Sequence, residues 1–265
     1  MSRTTEEKAE AFRALHAGEP FVITNPWDAG SARVLAALGF PALATTSSGF
    51  AFTLGRLDGT ATLAEVGAHV AALARATDLP LSVDLEHGYG ADPGLAVKRV
   101  GEADAVGASI EDWDGARLQA FERAGADVFY APGCAAGTRS GPCQATSKPL
   151  NALAHRGLSM REITAAGGRR VSVGGALTWV AVGALAQAAT RIRDDGDFSA
   201  LAARADPGVA RRLSSTTLRS RCIRRRPAYG PSRLLRRRES RGVPCSCRDA
   251  GCRRAASLCR RTRCP

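Results

Sequence analysis

Cysteine, aromatic residues and long apolar runs are all scarce in most of this sequence. Only two of the eight cysteines precede residue 211, and aromatic residues make up 5% of the chain. No uncharged apolar run reaches the ~18 residues that a membrane-spanning helix needs. The first twenty residues are charged and lack the apolar core of a signal peptide, so we expect a cytoplasmic protein with reduced thiols and no membrane partner.

Lysine is missing from the end of the chain, and this absence marks a change in character. Residues 211–265 contain 18 arginines, no lysine and two acidic residues, whereas residues 1–210 contain 19 basic and 23 acidic residues. The net charge of +12 therefore comes from the C-terminal part. We divide the chain into a body, residues 1–206, and a basic tail, residues 207–265, which we predict to be disordered because it has no hydrophobic period.

The tail suggests two kinds of binding. Its arginines would attract nucleic acid nonspecifically through the phosphates, although Tyr229 is its only aromatic residue and gives no stacking platform. The last five cysteines are separated by one, four, six and four residues, which does not match the paired Cys-x₂-Cys of zinc modules. A composition rich in arginine, cysteine, serine, proline and glycine is also typical of out-of-frame translation of a G+C-rich gene, and we hold this as a hypothesis for the tail and for residues 134–147.

Short apolar strands alternate with helices through the body. The segment 21–23 is predicted as a strand and 31–38 as the following helix, while Thr62 with Glu65 forms a capping box at the start of another helix. About seven strands are predicted, which favours an α/β protein with a (β/α)₈ TIM-type barrel over an open sheet. Residues 134–147 lack periodicity and are predicted to form an irregular insert.

Closely spaced carboxylates follow two of the predicted strands. Asp84 and Glu86 come at the end of one strand, and Glu111 and Asp112 follow the next, about 25 residues later. Because the carboxyl ends of parallel strands meet at one edge, these acids are expected to converge and to repel one another unless a cation lies among them. Hard oxygen ligands suit Mg²⁺, and solvated strand-end acids are the alternative interpretation.

Five stretches of the body carry a family resemblance. They are NPWDAGSARVLAALGFPALATTSSGFAFTLGRLDG, SVDLEHGYG, GASIED, RLQAFERAGADVFYAPG and RRVSVGGALTWVAVGAL, and the match spans roughly residues 8–200. They resemble the isocitrate lyase/phosphoenolpyruvate mutase superfamily, in its branch of small bacterial phosphonomutase-like proteins. The resemblance implies a (β/α)₈ barrel that uses Mg²⁺ to hold a pyruvate-like α-keto acid and its enolate while an adjacent C–C or P–C bond is broken or rearranged.

The resemblance also implies roles for individual residues. Asp84, Glu86 and Glu111 match the acids that hold the metal ion. Asp58 matches a further acid near it and, with His87, is a candidate catalytic residue; His87 would donate a hydrogen bond to substrate or support the acids. The substrate-binding candidates are Trp27, Ser48, Gly49 and Phe50, and the backbone N–H groups of the Ser48–Gly49 turn would hold the substrate carboxylate.

Some of the family pattern is missing from this chain. Few residues separate Glu111 from Arg117, where members of the family carry a further strand and helix. We therefore predict that one β/α unit is absent, together with an arginine that contacts substrate and a gating loop. The lyase sequence KKCGH is not found either. A catalytically inactive family member is therefore one alternative function, and nucleic-acid binding through the tail is another.

Two expectations concern the C-terminal part of the body. The pair Gly174–Gly175 would either receive an anion at a helix N-terminus or serve close packing, and the sequence leaves both open. Relatives of this type exchange a C-terminal helix between subunits, so the resemblance implies a homo-oligomer.

Overall fold

The computed structural model describes residues 2–91, 93–110, 122–123, 125–130, 147–154 and 157–209. The strands are β1 (Phe21–Ile23), β2 (Leu43–Ala44), β3 (Leu81–Asp84), β4 (Gly107–Ser109), β5 (Phe129–Tyr130), β6 (Leu150–Leu153) and β7 (Gly168–Ser172). The helices are α1 (Thr5–Ala17), α2 (Ala29–Ala37), α3 (Ser47–Thr53), α4 (Leu63–Ala76), α5 (Pro93–Glu102), α6 (Met160–Ala165) and α7 (Ala176–Asp195), followed by a 3₁₀ helix at Ser199–Ala202.

All pairings between the described strands are parallel, and the first strand pairs with the last. One sheet has the order β1-β7-β6-β5, the other has the order β2-β3-β4, and a parallel bridge between Thr24 and Leu43 joins them. Pairing of β1 with β7, with Phe21 opposite Arg170, is the closure that a barrel requires. The predicted TIM-type barrel is therefore confirmed, with seven strands among the described residues and no described pairing between β4 and β5.

Side-chain caps explain where several helices begin. Thr4, Thr62 and Ser159 each accept a hydrogen bond from the backbone of a glutamate three residues later, whose carboxylate bonds back to the cap residue. This reciprocal pattern satisfies N–H groups that the first turn of a helix leaves unpaired. The predicted start of α4 at Thr62 is confirmed.

Helix α1 packs against one end of the strands. The ring of Phe12 lies so close to Gly107 that an added Cβ there would be 2.8 Å from Phe12 Cε1. The Lys8 ammonium is buried and donates to the Asp104 carboxylate at 2.7 Å, and Thr5 also donates to this carboxylate. Apolar packing and one half-buried ion pair therefore hold α1 in place.

The structure differs from the sequence-based expectation at one segment near the candidate site. Residues 47–49 were expected to form a turn of small residues, but they are the first turn of α3. The helix forms because the Thr46 side chain caps it and because Phe50 and Ala51 are buried. The irregular segment 134–146, Glu111 and the tail from residue 210 lie outside the described residues.

No helix in the described part of the chain combines the length and the apolar character needed to cross a membrane.

Candidate active site

Strand β3 places Asp84 on the inner face of the barrel wall. Val83 and Leu85 are fully buried in the apolar core with α4 and α5, so the alternation of the strand directs Asp84 to the opposite face. The register pairs Asp84 with Ser109 of β4, which lies at the same carboxyl end. The carboxylate therefore faces the end of the barrel where enzymes of this fold carry their active sites.

Hydrogen bonds hold Asp84 from both of its neighbouring segments. Its backbone N–H donates to Thr45 Oγ1 at 2.8 Å, and its carboxylate accepts from the Glu86 N–H at 3.0 Å and from the Ser47 N–H at 3.4 Å. Burial raises the pKa of the Asp84 carboxyl, the hydrogen bonds from Glu86 and Ser47 oppose that rise, and the charge of Asp58 adds to it. An ionised Asp84 is therefore costly without a nearby cation.

Glu86 lies in an environment that is unfavourable for an ionised carboxylate. Its backbone has a φ of 46°, which is unusual for a residue other than glycine. Its Oε1 is buried and has no hydrogen-bond partner among the described residues, while His87 Nδ1 lies 3.8 Å from Oε2 and the nearby Tyr89 hydroxyl donates to the Asp84 carbonyl oxygen at 3.4 Å. Burial raises the pKa of Glu86, and the charges of Asp58 and Asp84 raise it further.

Asp58 and His87 lie at the edge of this acidic cluster. Asp58 is exposed in a turn, and its neighbour Gly59 approaches Glu86, where an added Cβ would be 3.8 Å from Glu86 Oε2. The negative charge of Asp58 acts on both Asp84 and Glu86. The His87 side chain is 68% exposed, and its ring lies 5.9 Å from that of Tyr89. The structure therefore brings the two predicted catalytic residues beside the predicted metal ligands.

The first turn of α3 supplies an N–H donor beside the acids. The Gly49 N–H donates to Thr46 Oγ1 and the Phe50 N–H to the Thr46 carbonyl oxygen, while the Ser47 N–H points to Asp84. The Ser48 N–H has no partner in the described part of the structure. It is thus the donor of this turn that remains open to a ligand carboxylate.

Close packing explains the glycine at position 49. An added Cβ there would lie 2.6 Å from Thr178 Oγ1, 2.6 Å from Thr46 Cγ2 and 3.0 Å from Trp27 Cβ. Trp27 itself is half-buried and its N–H donates to Ser31 Oγ at 3.0 Å. The predicted substrate-binding residues Trp27, Ser48 and Gly49 therefore lie together at one corner of the barrel.

Phe50 is placed differently from the prediction. Its ring is buried and stacks on His69 of α4 with centroids 4.1 Å apart, and its N–H already bonds within α3. Phe50 therefore packs in the apolar core, and neither its ring nor its N–H is open to a ligand. Helix α3 is not predicted from the sequence, and its helical period directs the Phe50 side chain away from the strand ends.

The start of α7 completes the corner with Gly175, which the sequence singles out, and with Thr178 and Trp179, which the sequence does not predict. Gly175 packs on Ser48, since an added Cβ would lie 3.0 Å from Ser48 Oγ, and Trp179 Nε1 donates to the same oxygen at 3.1 Å. Thr178 Oγ1 is buried without a hydrogen-bond partner among the described residues. The sequence leaves open whether the Gly174–Gly175 pair binds an anion or serves close packing. For Gly175, this contact supports close packing.

The described acids do not by themselves make a metal site. Asp84, Glu86 and Asp58 offer oxygen ligands of the kind that Mg²⁺ prefers, and the unpartnered Glu86 oxygen fits a cation or its bound water. Among the described residues no group of three His, Cys, Asp or Glu side chains is close enough to hold a metal ion. The third predicted ligand, Glu111, lies outside the described residues.

The sequence matches a family model described as phosphoenolpyruvate phosphomutase over residues 12–116 and 114–193. The crystal structure of a putative lyase/mutase from Burkholderia cenocepacia J2315 is 36% identical, covers 80% of this chain and 98% of that chain, and has a TM-score of 0.73. A putative phosphonomutase from the same organism is 27% identical, covers 71% and 99% of the two chains, and has a TM-score of 0.63.

A curated relative matches a shorter part of the sequence. An uncharacterised protein of Mycobacterium tuberculosis is 38% identical over 105 residues, which is 39% of this chain and 40% of that protein. The match therefore spans less than half the length of this relative.

Proposed function

Because the chain belongs to the phosphoenolpyruvate phosphomutase family, we propose that its barrel binds a small α-keto acid together with Mg²⁺ and breaks or rearranges the adjacent C–C or P–C bond. The family comprises mutases and lyases that act on keto-acid substrates and generally depend on a metal ion. Pyruvate-, oxaloacetate- or phosphoenolpyruvate-like acids are the substrate class that we propose for this chain.

One observation carries the proposal: the buried Glu86 oxygen without a partner, beside Asp84 and within the field of Asp58. A buried carboxylate oxygen without a donor is costly, and like charges around it increase the cost. A divalent cation relieves both penalties at once. Asp84 and Glu86 would hold the ion, directly or through its water, and Glu111 is the third ligand that we propose.

The residues around this position suit an α-keto acid. When bound, Mg²⁺ would stabilise the negative charge that develops on the enolate oxygen. The open Ser48 N–H would hold the substrate carboxylate, with the Trp27 and Gly49 packing fixing its direction. Asp58 and His87, at the rim, are placed to exchange a proton with the substrate or to orient water, which is the role that we propose for them.

Oxalate binding tests this proposal, because oxalate is a planar dicarboxylate that mimics an α-keto acid enolate and chelates a divalent cation. Isothermal titration calorimetry should detect oxalate binding in the presence of Mg²⁺. When EDTA removes the ion, the affinity for oxalate should fall by about 10-fold or more. Glu86→Gln should weaken the Mg²⁺-dependent binding, since it removes a charged ligand.

Glu102→Gln is the matched control, since Glu102 is an exposed glutamate of α5 that pairs only loosely with Arg99 at 3.8 Å. It should bind oxalate as the unmodified protein does. If the unmodified protein fails to bind oxalate in the presence of Mg²⁺, the enzymatic proposal is wrong and a catalytically inactive family member is the better description.

A further inference from the structure

We propose that Trp179 is a positioning residue for the first turn of α3, holding Ser48 so that its N–H and its hydroxyl proton are both directed to the bound α-keto acid. The inference deepens the proposed function and rests on it for the identity of the ligand. Trp179 lies 131 positions from Ser48 in the sequence, and no feature of the metal-binding pattern involves it.

The hydrogen bond between Trp179 and Ser48 can have only one direction. An indole N–H can only donate, so Ser48 Oγ must accept the bond from Trp179 Nε1 at 3.1 Å. The Ser48 hydroxyl proton then points elsewhere, and neither it nor the Ser48 N–H has an acceptor among the described residues. Accepting one hydrogen bond also makes the hydroxyl a better donor in the next. Ser48 is thus left with two donors for one ligand.

A second contact fixes the same side chain from another direction. Gly175, the residue before α7, leaves just enough room for Ser48: an added Cβ would lie 3.0 Å from Ser48 Oγ and 3.1 Å from Ser48 Cβ. The Ser48 side chain is therefore confined between the backbone of Gly175 and the indole of Trp179. This confinement sets its rotamer before any ligand binds, which lowers the entropy lost on binding.

The indole is itself held in place although it is largely exposed. Trp179 is 53% exposed, and its ring contacts Phe52 in an edge-on arrangement with centroids 5.8 Å apart. Phe52 lies near the end of α3 and Ser48 near its start, so the indole spans the helix. The N–H bond and the ring contact can therefore be separated by substitution, because phenylalanine keeps a ring and loses the donor.

The test is calorimetric binding of oxalate with Mg²⁺ to the full chain and its variants. Trp179→Phe should weaken binding about 3- to 10-fold, the effect of losing one neutral hydrogen bond. Gln187→Ala, at another exposed position of α7, should bind as the unmodified protein does. In a Ser48→Ala background Trp179→Phe should have no further effect, because the group that it positions is gone.

Two results would overturn the inference: unchanged affinity in Trp179→Phe, or the same loss of affinity with and without the Ser48 hydroxyl. A second readout does not need a ligand. Amide hydrogen exchange in a peptide covering residues 46–53 should be faster in Trp179→Phe than in the unmodified protein and in Gln187→Ala, and equal rates would refute the positioning role. If the unmodified protein does not bind oxalate, the proposed function fails, and the exchange rates still decide whether Trp179 holds this turn.

Discussion

Glu86 combines three unfavourable features in one residue. It has a positive φ of 46°, a buried oxygen without a described partner, and a pKa raised by burial and by neighbouring acids. A left-handed backbone at a residue other than glycine costs roughly 1–2 kcal/mol. Such costs concentrate at functional sites, where the surrounding structure maintains them. The proximity of Glu86 to Asp84 could be predicted, because both acids directly follow one strand. The conformation of Glu86 could not be predicted, because it depends on its surroundings, which include Tyr89 and Asp58.

His69 gives the protein a pH-dependent stability. Burial lowers its pKa from 6.5 to about 4, with a small opposing effect from Asp28. The unfolded chain gains a proton near pH 6.5 while the folded chain does not, so stability is lost as the pH falls from 6.5 towards 4. The difference corresponds to about 3 kcal/mol across that window.

Urea unfolding between pH 4.5 and 7.5 measures this effect. His69→Leu keeps an apolar contact with Phe50 and should reduce the loss of stability on the acid side, leaving the part that comes from His16, whose pKa burial also lowers. A steep acid loss that persists in His69→Leu would show that another group controls it.

At the scale of single elements, the helices follow local sequence rules where a cap is present. Thr62 with Glu65 predicts the start of α4, and the structure confirms it. Helix α3 was missed because its opening residues, two serines and a glycine, favour a turn when read locally. Its stability comes from the Thr46 cap and from burial of Phe50, which is a tertiary effect. The contact between α7 and α3 could not be predicted, since it joins residues far apart in the chain.

An ion pair with one buried partner, Lys8, contributes to holding α1, and removing the other partner should reveal its contribution. Asp104→Ala leaves the Lys8 ammonium, whose side chain is 5% exposed, without its carboxylate. We expect a loss of about 1–3 kcal/mol in the free energy of unfolding, less than for a fully buried pair because Asp104 is partly exposed. Chemical denaturation measures the change.

Asp194→Ala is the control for this prediction. Asp194 also forms an ion pair, with Arg193 at 2.6 Å, but both side chains are exposed. Its removal should have no measurable effect on unfolding. Equal effects of the two substitutions would mean that the Lys8 pair does not hold α1.

At the scale of the whole molecule, the barrel closes through its first and last strands while the described part of its wall stops between β4 and β5. The family model matches in two segments that meet at residues 114–116, which is where the sequence predicts that one β/α unit is missing. Fold and closure could be predicted from the strand-helix rhythm, because that rhythm is local. Residues 111–121, between β4 and β5, lie outside the described residues.

The surface of α7 leads to a prediction about assembly. Among the described residues this 20-residue helix buries only Thr178, and Val180 and Leu185 are 68% and 66% exposed. Exposed apolar side chains on a long helix that is largely uncovered favour contact with a second copy of the chain. Light scattering after gel filtration should show a homo-oligomer that Leu185→Glu dissociates and that Gln187→Glu, at a polar position of the same helix, leaves intact. A monomer in the unmodified protein would contradict this expectation.

The central claim is that Asp84 and Glu86 belong to a divalent metal site, and thermal unfolding with and without Mg²⁺ tests it most directly. At ten times its dissociation constant, a bound ion stabilises the folded state by about 1.4 kcal/mol, which raises the melting temperature by about 3–6 °C for a chain of this size. We predict this rise in the unmodified protein and its loss in Asp84→Asn, with Asp195→Asn, an exposed aspartate at the end of α7, behaving as the unmodified protein does. An unchanged melting temperature in the unmodified protein, or an equal rise in Asp84→Asn, would contradict the claim.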